Sequence, residues 1–435
     1  MHNLAIALKK NGHAVSGSDD EIFEPSLTRL RENDLLPEKF GWHAESISPD
    51  IDLIILGMHA RKDNAELQKA EQLGITIMSY PEYIYNSSLN KTRVVIAGSH
   101  GKTSTTSMLL HVLKKTGRDF DFLVGAQIRG FDTMVRLSDA PVIILEGDEY
   151  FSSPIDMKAK FLWYKPHIAL ITGISWDHIN VYPSLESYHD AFSDFVRSIQ
   201  KSGTLLYCRA DEELSRIVNN SKMDITTIPY AEAAHVIRNR KTYLKDERGE
   251  HQISVFGRHN LQNLEGARVI AEKLGIEPPD FNEAIQSFEG ASNRLELIRD
   301  DGHLRVFRDF AHSPSKLKAT VQACREQFPG EKLLAVMELH TFSSLNAEFL
   351  NEYRSTMDEA DTAIIYYNPQ TIRHKKLEDI SHEQVKMAFG REDLIVTTET
   401  PDLLEKLALL KAKHDVLLIM SSGNFGGLGL EQLTA

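Results

Sequence analysis

Along the chain, short unbroken apolar runs alternate with stretches in which apolar residues return every three or four positions, the pattern of buried strands alternating with helices. Residues 1–11, with Leu4, Ala5, Ala7 and Leu8 on one stripe, predict a helix, and 13–18 a strand that ends at Gly17-Ser18-Asp19. A strand at 52–57, a helix at 63–73, a strand at 75–79 and a short helix from Pro81 complete a small doubly wound unit. Such a unit ordinarily opens with a strand and a Gly-rich loop, and this one begins inside its first helix, so its opening strand is expected to be lacking. A second region carries strands at 93–97, 141–145 and 167–171, helices at 104–115 and 184–201, and short strands over 224–256 around the polar turn Asp246-Glu247-Arg248-Gly249. A third, from about 293, predicts strands at 304–308, 332–337, 362–367 and 416–420, with helices at 315–327, 346–357 and 402–412. The expected fold class is α/β in three domains: 1–91 Rossmann-like, 92–292 built on a phosphate loop, and 293–435 Rossmann-like again.

At 435 residues the chain is too long for a single core, which agrees with several domains. A net charge of −13 argues against a nucleic-acid partner and leaves room for a small anionic ligand in a local basic pocket. Cys208 and Cys324 are the only cysteines, far apart in sequence, and are expected to be buried thiols. With no apolar run of spanning length and no leader, the chain is expected to be cytoplasmic, with no membrane partner, as a monomer or weak homo-oligomer.

The densest chemistry follows the run Arg93–Ala97, at Gly98-Ser99-His100-Gly101-Lys102-Thr103-Ser104. Glycines at 98 and 101 free backbone N–H groups to turn onto phosphate oxygens, Lys102 reaches terminal phosphates, and Thr103 offers Mg²⁺ a hydroxyl. The first glycine of the usual longer phosphate-loop pattern would fall at Ile96, so the match is to a shorter G-x-x-G-K-T form. ATP and Mg²⁺ are the ligands this loop predicts. Glu146, at the end of an apolar strand before Gly147-Asp148-Glu149, has the hard oxygen donors that Mg²⁺ takes. His178 follows another strand, where α/β sheets bind ligands, and is assigned to the metal or its phosphate. Asn260 and Asn263, one helical turn apart after His259, lie on one face and suit an adenine or ribose edge, although Asn260 equally suits a helix cap.

Taken together these segments resemble the Mur ligase family over essentially the whole chain. The resemblance implies ATP-dependent amide-bond formation on UDP-N-acetylmuramate with a murein peptide as acceptor. It assigns ATP and magnesium roles to Lys102, Thr103, Glu146 and His178, nucleotide contacts to His259, Asn260 and Asn263, and adds Arg294, Asp309 and His312 of the segment Asp309-Phe310-Ala311-His312. It implies UDP-sugar binding by the first domain, where Asp19, His59 and Asn64 are the candidates, and acceptor binding by the third. Glu146–Tyr150, Asp156–Phe161, Tyr164-Lys165-Pro166 and Met420–Gly427 are similar to the branch whose acceptor is L-alanyl-γ-D-glutamyl-meso-diaminopimelate. An acceptor rich in carboxylates needs Arg or Lys donors, which singles out Arg373 in Arg373-His374-Lys375-Lys376, with Ser421 and Asn424 as the alternative candidates. Relatives usually carry Asn and Glu where Gly173 and Ser175 stand, and the lysine that some of them carbamylate would align near Phe192. Their E-P-R or Q-P-H segment is Glu338-Leu339-His340. Two other functions stay open at this point: ligation of a single L-alanine, and ATP binding without ligation.

Overall fold

The strand Thr92–Ala97, buried along its last five residues, is the middle of a seven-stranded sheet. The computed structural model describes all residues except His59, Pro154, 177–180 and Ala435. The chain divides into two units, Met1–Gly98 with Leu113–Ile174 and His189–Tyr230, and Ser99–Val112 with Ser175–Tyr188 and Ala231–Ala435.

The first unit holds the seven-stranded sheet in the order Thr226–Tyr230, Thr204–Cys208, Ile168–Ile171, Thr92–Ala97, Val142–Gly147, Asp121–Leu123, Val135–Arg136. Every pairing is parallel except the last. Because both faces of a parallel sheet are covered, its strands read as continuous apolar runs, and Val94, Val95, Ile96, Ile143, Ile144, Leu145, Leu170 and Ile171 are all fully buried. The central strand Thr92–Ala97 is anchored by Arg93, whose Nε donates to Tyr164 O at 2.8 Å and Nη1 to Ser88 O at 2.9 Å. The N-terminal part has a two-stranded parallel sheet, Leu53–Leu56 with Thr76–Ser79. Asn64 caps the intervening helix Ala65–Leu73, accepting from Glu66 N and Leu67 N. The strand expected at 13–18 is absent: the small sheet gives it no ladder, and Val15 instead packs beside Ile6, Leu30 and Leu35.

The second unit contains a six-stranded sheet ordered Glu296–Asp300, Arg305–Asp309, Val416–Met420, Leu333–Leu339, Thr362–Tyr367, Ile395–Thr397, parallel apart from the first pairing. Side chains alternate strictly between its faces. Leu333, Ala335, Met337 and Leu339 join Leu317, Val321 and Phe389 on one side, whereas Leu334 and Val336 meet Leu403 and Leu407 on the other. The helix expected at 346–357 is only a 3-10 turn, Phe349–Tyr353. Asn346 Oδ1 takes the amides of Glu348 and Phe349, and Arg354 in an extended conformation followed by Ser355 at φ +59° ends the turn. The polar turn expected at Asp246–Gly249 joins the antiparallel strands Lys241–Asp246 and Gly249–Ile253. Both cysteines are buried and free, and no helix among the described residues is long and apolar enough to cross a membrane.

One buried ion pair braces the edge of the larger sheet. Lys91 Nζ lies 2.9 Å from Asp121 Oδ2, and Asp121 also accepts from Ser138 N and Oγ. Removing one partner leaves the other charge buried and uncompensated. Lys91→Met should therefore cost about 3–5 kcal/mol of unfolding free energy in urea; a loss below about 1 kcal/mol would show that water reaches Asp121.

Candidate active site

The phosphate loop is shaped by what its glycines exclude. Gly98 has φ +130°, and a Cβ there would stand 2.1 Å from Thr172 Oγ1 and 3.0 Å from Gly173 O. The end of the strand Ile168–Ile171 is thus pressed against the start of the loop, with Thr172 N donating to Ala97 O at 3.0 Å. Only glycine accepts both the dihedral angle and the contact. At Gly101, φ is +80° and a Cβ would meet Asn263 Oδ1 at 2.3 Å. The structure therefore brings Asn263, 6% exposed, onto the backbone of the loop.

The helix Lys102–Lys115 starts at Lys102 itself, so its N-terminal amides and the positive end of its dipole belong to the loop. Ser104, Thr105, Thr106 and Ser107 behind it are buried, and Ser107 Oγ donates to Thr103 O at 2.7 Å. Gly98 and Gly101 admit backbone and no side chain, which fits a nucleotide's phosphates.

His259 is half-buried beside this loop, its buried Nδ1 without a hydrogen-bond partner among the described residues. Burial, helped by the charge of His100, pushes its pKa down to about 4. It is a neutral imidazole at physiological pH. The helix cap open to Asn260 is taken by Gly257 instead, and Asn260 Nδ2 donates back to Phe256 O at 3.0 Å.

In the first unit, Glu146 is 3% exposed and its Oε2 accepts from Gly125 N. The adjoining Asp148 pairs with Lys160 at 3.4 Å. Among the described residues no group of three or more His, Cys, Asp or Glu gathers as a metal site. The Mg²⁺ assignments therefore rest on the chemistry of Glu146 and Thr103 taken singly. His178 and His59 lie outside the described residues.

In the second unit, Arg294 stacks over the Phe310 ring at 4.6 Å, Phe310 meets His312 edge-on at 5.2 Å, and His312 Nε2 lies 3.4 Å from Lys316 Nζ. Asn293 and Leu295, on either side of Arg294, have φ of +57° and +46°, a strained arrangement of the kind that collects at functional sites. Asp309 holds it in place, accepting from Leu295 N at 2.6 Å and Ala311 N at 2.7 Å. Burial raises the Asp309 pKa, opposed by Arg294 and these amides. Arg294, Asp309 and His312 are thus brought together, with Asp309 turned onto the backbone.

The acceptor candidates are more dispersed. Arg373 is exposed in the last turn of the short helix Pro369–His374. Ser421 Oγ donates to Glu338, and Asn424 Oδ1 accepts from Gly427 N at 3.1 Å, so both shape their own loop. Asp19 is exposed, and the side-chain oxygen of Asn64 is used in the helix cap. Three contributors went unrecognised in the sequence reading: Thr172 against Gly98, Gly125 on Glu146, and Lys316 beside His312. A glycine two residues after the short strand Asp121–Leu123 was the available signal for Gly125.

Two family models match, Mur ligase middle domain over residues 96–271 and Mur ligase, glutamate ligase domain over 293–423. A UDP-N-acetylmuramate–L-alanyl-γ-D-glutamyl-meso-2,6-diaminoheptandioate ligase of Haemophilus influenzae is 27% identical over 98% of this chain and 95% of its own length. A UDP-N-acetylmuramate–L-alanine ligase of Persephonella marina is 30% identical over 98% and 92%. The solved structure of a murein peptide ligase from Psychrobacter arcticus shares the fold with a TM-score of 0.66 at 22% identity, covering 100% of this chain and 96% of that one.

Because His259 has its pKa lowered in the folded state, the unfolded chain takes up the proton first as pH falls. The stability this residue contributes is complete above about 6.5 and is lost progressively towards about 4. Between pH 7.5 and 5.0 the unfolding free energy of the wild type should fall by about 2 kcal/mol more than that of His259→Gln. Equal falls, measured by urea titration at both pH values, would mean that the folded imidazole carries a proton.

Proposed function

The chain belongs to the Mur ligase family and is an ATP-dependent ligase that forms a C–N bond, and within that chemistry we propose that it joins UDP-N-acetylmuramate to the murein tripeptide L-alanyl-γ-D-glutamyl-meso-diaminopimelate. One observation carries the choice of acceptor. The loop Met420–Gly427, similar to that of the tripeptide branch, closes on Glu338 and His340 so tightly that a Cβ at Gly423 would stand 2.6 Å from the imidazole. Loop and strand end are matched as a set. The second reading is ligation of L-alanine alone, which the 30% identity to the Persephonella marina enzyme favours.

In this proposal the three expected domains divide the work: 1–91 takes the UDP-sugar through Asp19, His59 and Asn64, 92–292 takes ATP, and 293–435 takes the acceptor. Gly98, Ser99, His100, Gly101 and Ser104 present backbone and hydroxyl groups to the phosphates. Asn263 lies against that loop, with His259 and Asn260 on the same helix turn. Lys102 neutralises charge on the transferred phosphoryl group. The lactyl carboxylate of the muramate attacks the γ-phosphorus of ATP, forming an acyl phosphate and releasing ADP; the acceptor's α-amine then attacks the acyl carbon and gives up a proton as inorganic phosphate leaves and the amide forms. Arg294, Asp309 and His312 add to nucleotide binding, and Arg373, Ser421 and Asn424 to acceptor binding. Mg²⁺ supplies charge neutralisation at the phosphates, and Thr103, Glu146 and His178 are the residues assigned to it. Holding three reactants in line is worth about 7–11 kcal/mol of barrier, so binding geometry outweighs any single group. The reaction is placed in the cytoplasm, where UDP-sugars and ATP are available.

With UDP-N-acetylmuramate and ATP, phosphate release should be at least about tenfold more efficient in kcat/KM with tripeptide than with L-alanine, a difference of one well-made charged contact. The reverse order would transfer the chain to the alanine reading. Lys102→Ala should fall below roughly a tenth of wild-type turnover with either acceptor, its circular dichroism unchanged. Arg373→Ala should raise the KM for tripeptide about tenfold and leave that for ATP in place; equal rises would return this arginine to the solvent surface.

A further inference from the structure

In the six-stranded sheet the last strand, Val416–Met420, lies between Arg305–Asp309 and Leu333–Leu339. Segments that follow its two neighbours return over one face, through Leu317 and Phe349, while the helix that follows it, Leu430–Thr434, buries Leu433 on the opposite face with Leu403 and Leu407. Chains leaving adjacent strands towards opposite faces open a crevice at the strands' carboxyl ends, where open α/β sheets bind ligands.

Glu338 stands at this point and is 1% exposed. Its Oε2 accepts from Phe425 N at 2.9 Å and from Ser421 Oγ. Its Oε1 lies 3.7 Å from His340 Nδ1, and among the described residues no lysine or arginine pairs with it. The ring of His340, 35% exposed, leads from this oxygen to the surface. Tyr366, whose pKa is raised by burial and then by Glu338 and Glu399, lies against Gly426, where a Cβ would be 2.3 Å from its hydroxyl. The Ser422 hydroxyl is buried with no hydrogen-bond partner among the described residues. The crevice thus gathers a carboxylate and hydroxyl acceptors, with the His340 imidazole as a basic group.

We propose that this crevice receives the side-chain ammonium of the acceptor peptide's third residue, with Glu338 as its counter-charge. The inference rests on the ligase reading above and narrows it to acceptors whose third residue is a cationic amine. A buried carboxylate is stable when paired. An ammonium supplies three donors, and Glu338 Oε1 and Ser422 Oγ are acceptors with capacity left. Gly423 keeps the covering loop close, since a Cβ would stand 2.6 Å from the His340 ring and 2.8 Å from Glu338 Oε2.

The test compares L-Ala-γ-D-Glu-L-Lys with the same peptide ending in norleucine, which removes the ammonium and keeps an unbranched side chain. Wild-type enzyme should favour the lysyl peptide at least tenfold in kcat/KM, through KM, and Glu338→Gln should reduce that ratio at least tenfold. Glutamine keeps an oxygen for Phe425 N–H, and hydrogen exchange of the Phe425 amide reports whether the loop is intact. A ratio unmoved by Glu338→Gln with that amide still protected, or no lysyl preference in the wild type, overturns the proposal and leaves Glu338 as a brace for the loop. If Phe425 loses protection in the variant, the wild-type preference decides alone. If neither peptide releases phosphate, the ligase reading fails, and calorimetry of both peptides on wild type and Glu338→Gln decides this proposal separately: tenfold tighter lysyl binding that the variant loses upholds it, and equal binding overturns it.

Discussion

A strand-end carboxylate turned onto the backbone N–H of a neighbouring loop is the interaction on which both sheets' functional edges depend. Glu146 accepts from Gly125, Asp309 from Leu295 and Ala311, and Glu338 from Phe425. At the carboxyl end of a parallel strand the ladder stops and the following chain must turn away, which leaves amides without partners in a region that water barely enters. A charged acceptor there replaces the missing ladder bond, each such bond contributing about 1.5–3 kcal/mol. Neutral acceptors give less, and they do not carry the field that a cationic or metal-bearing ligand recognises.

The same device has a consequence for chemistry. A carboxylate engaged on one oxygen is oriented, so its other oxygen is presented in a fixed direction. Glu338 shows this within one residue: one oxygen is committed to the loop and the other faces His340. Asp309 shows the limit of it, since both its oxygens take backbone amides and its part in the site is to hold Arg294 between two strained neighbours. The family resemblance assigns Asp309 to nucleotide binding, and the geometry adds that its two oxygens hold the backbone on one side of Arg294 and just after Asp309 itself.

Glycines complete the arrangement through close approach. Gly98 against Thr172, Gly101 against Asn263 and Gly423 against His340 are places where two segments come nearer than any side chain permits. Each joins residues distant in sequence. The cost of left-handed backbone at Gly98 and Gly101 is avoided only because the residue is glycine.

Much of this was legible in the chain itself. Apolar runs such as Val94–Ala97 and Leu333–Met337 specify buried strands because burial on two faces leaves no polar position, and the loop that starts at Gly98 announces its chemistry because backbone phosphate binding needs glycine at fixed places. Local signals failed where a partner decides the state: 13–18 has a strand's composition and no ladder to join, and 346–357 has helical spacing that Asn346 and Ser355 cut to a short turn. Only the tertiary structure decided that Asn263 rests on the phosphate loop while Asn260 turns back to Phe256, that His259 is neutral, and that Glu338 meets Ser421 and Phe425 across more than eighty residues of chain. The physical reason is the same in each case. A residue's type sets which bonds it is able to make, whereas burial, charge state and the choice among partners depend on segments that folding brings alongside.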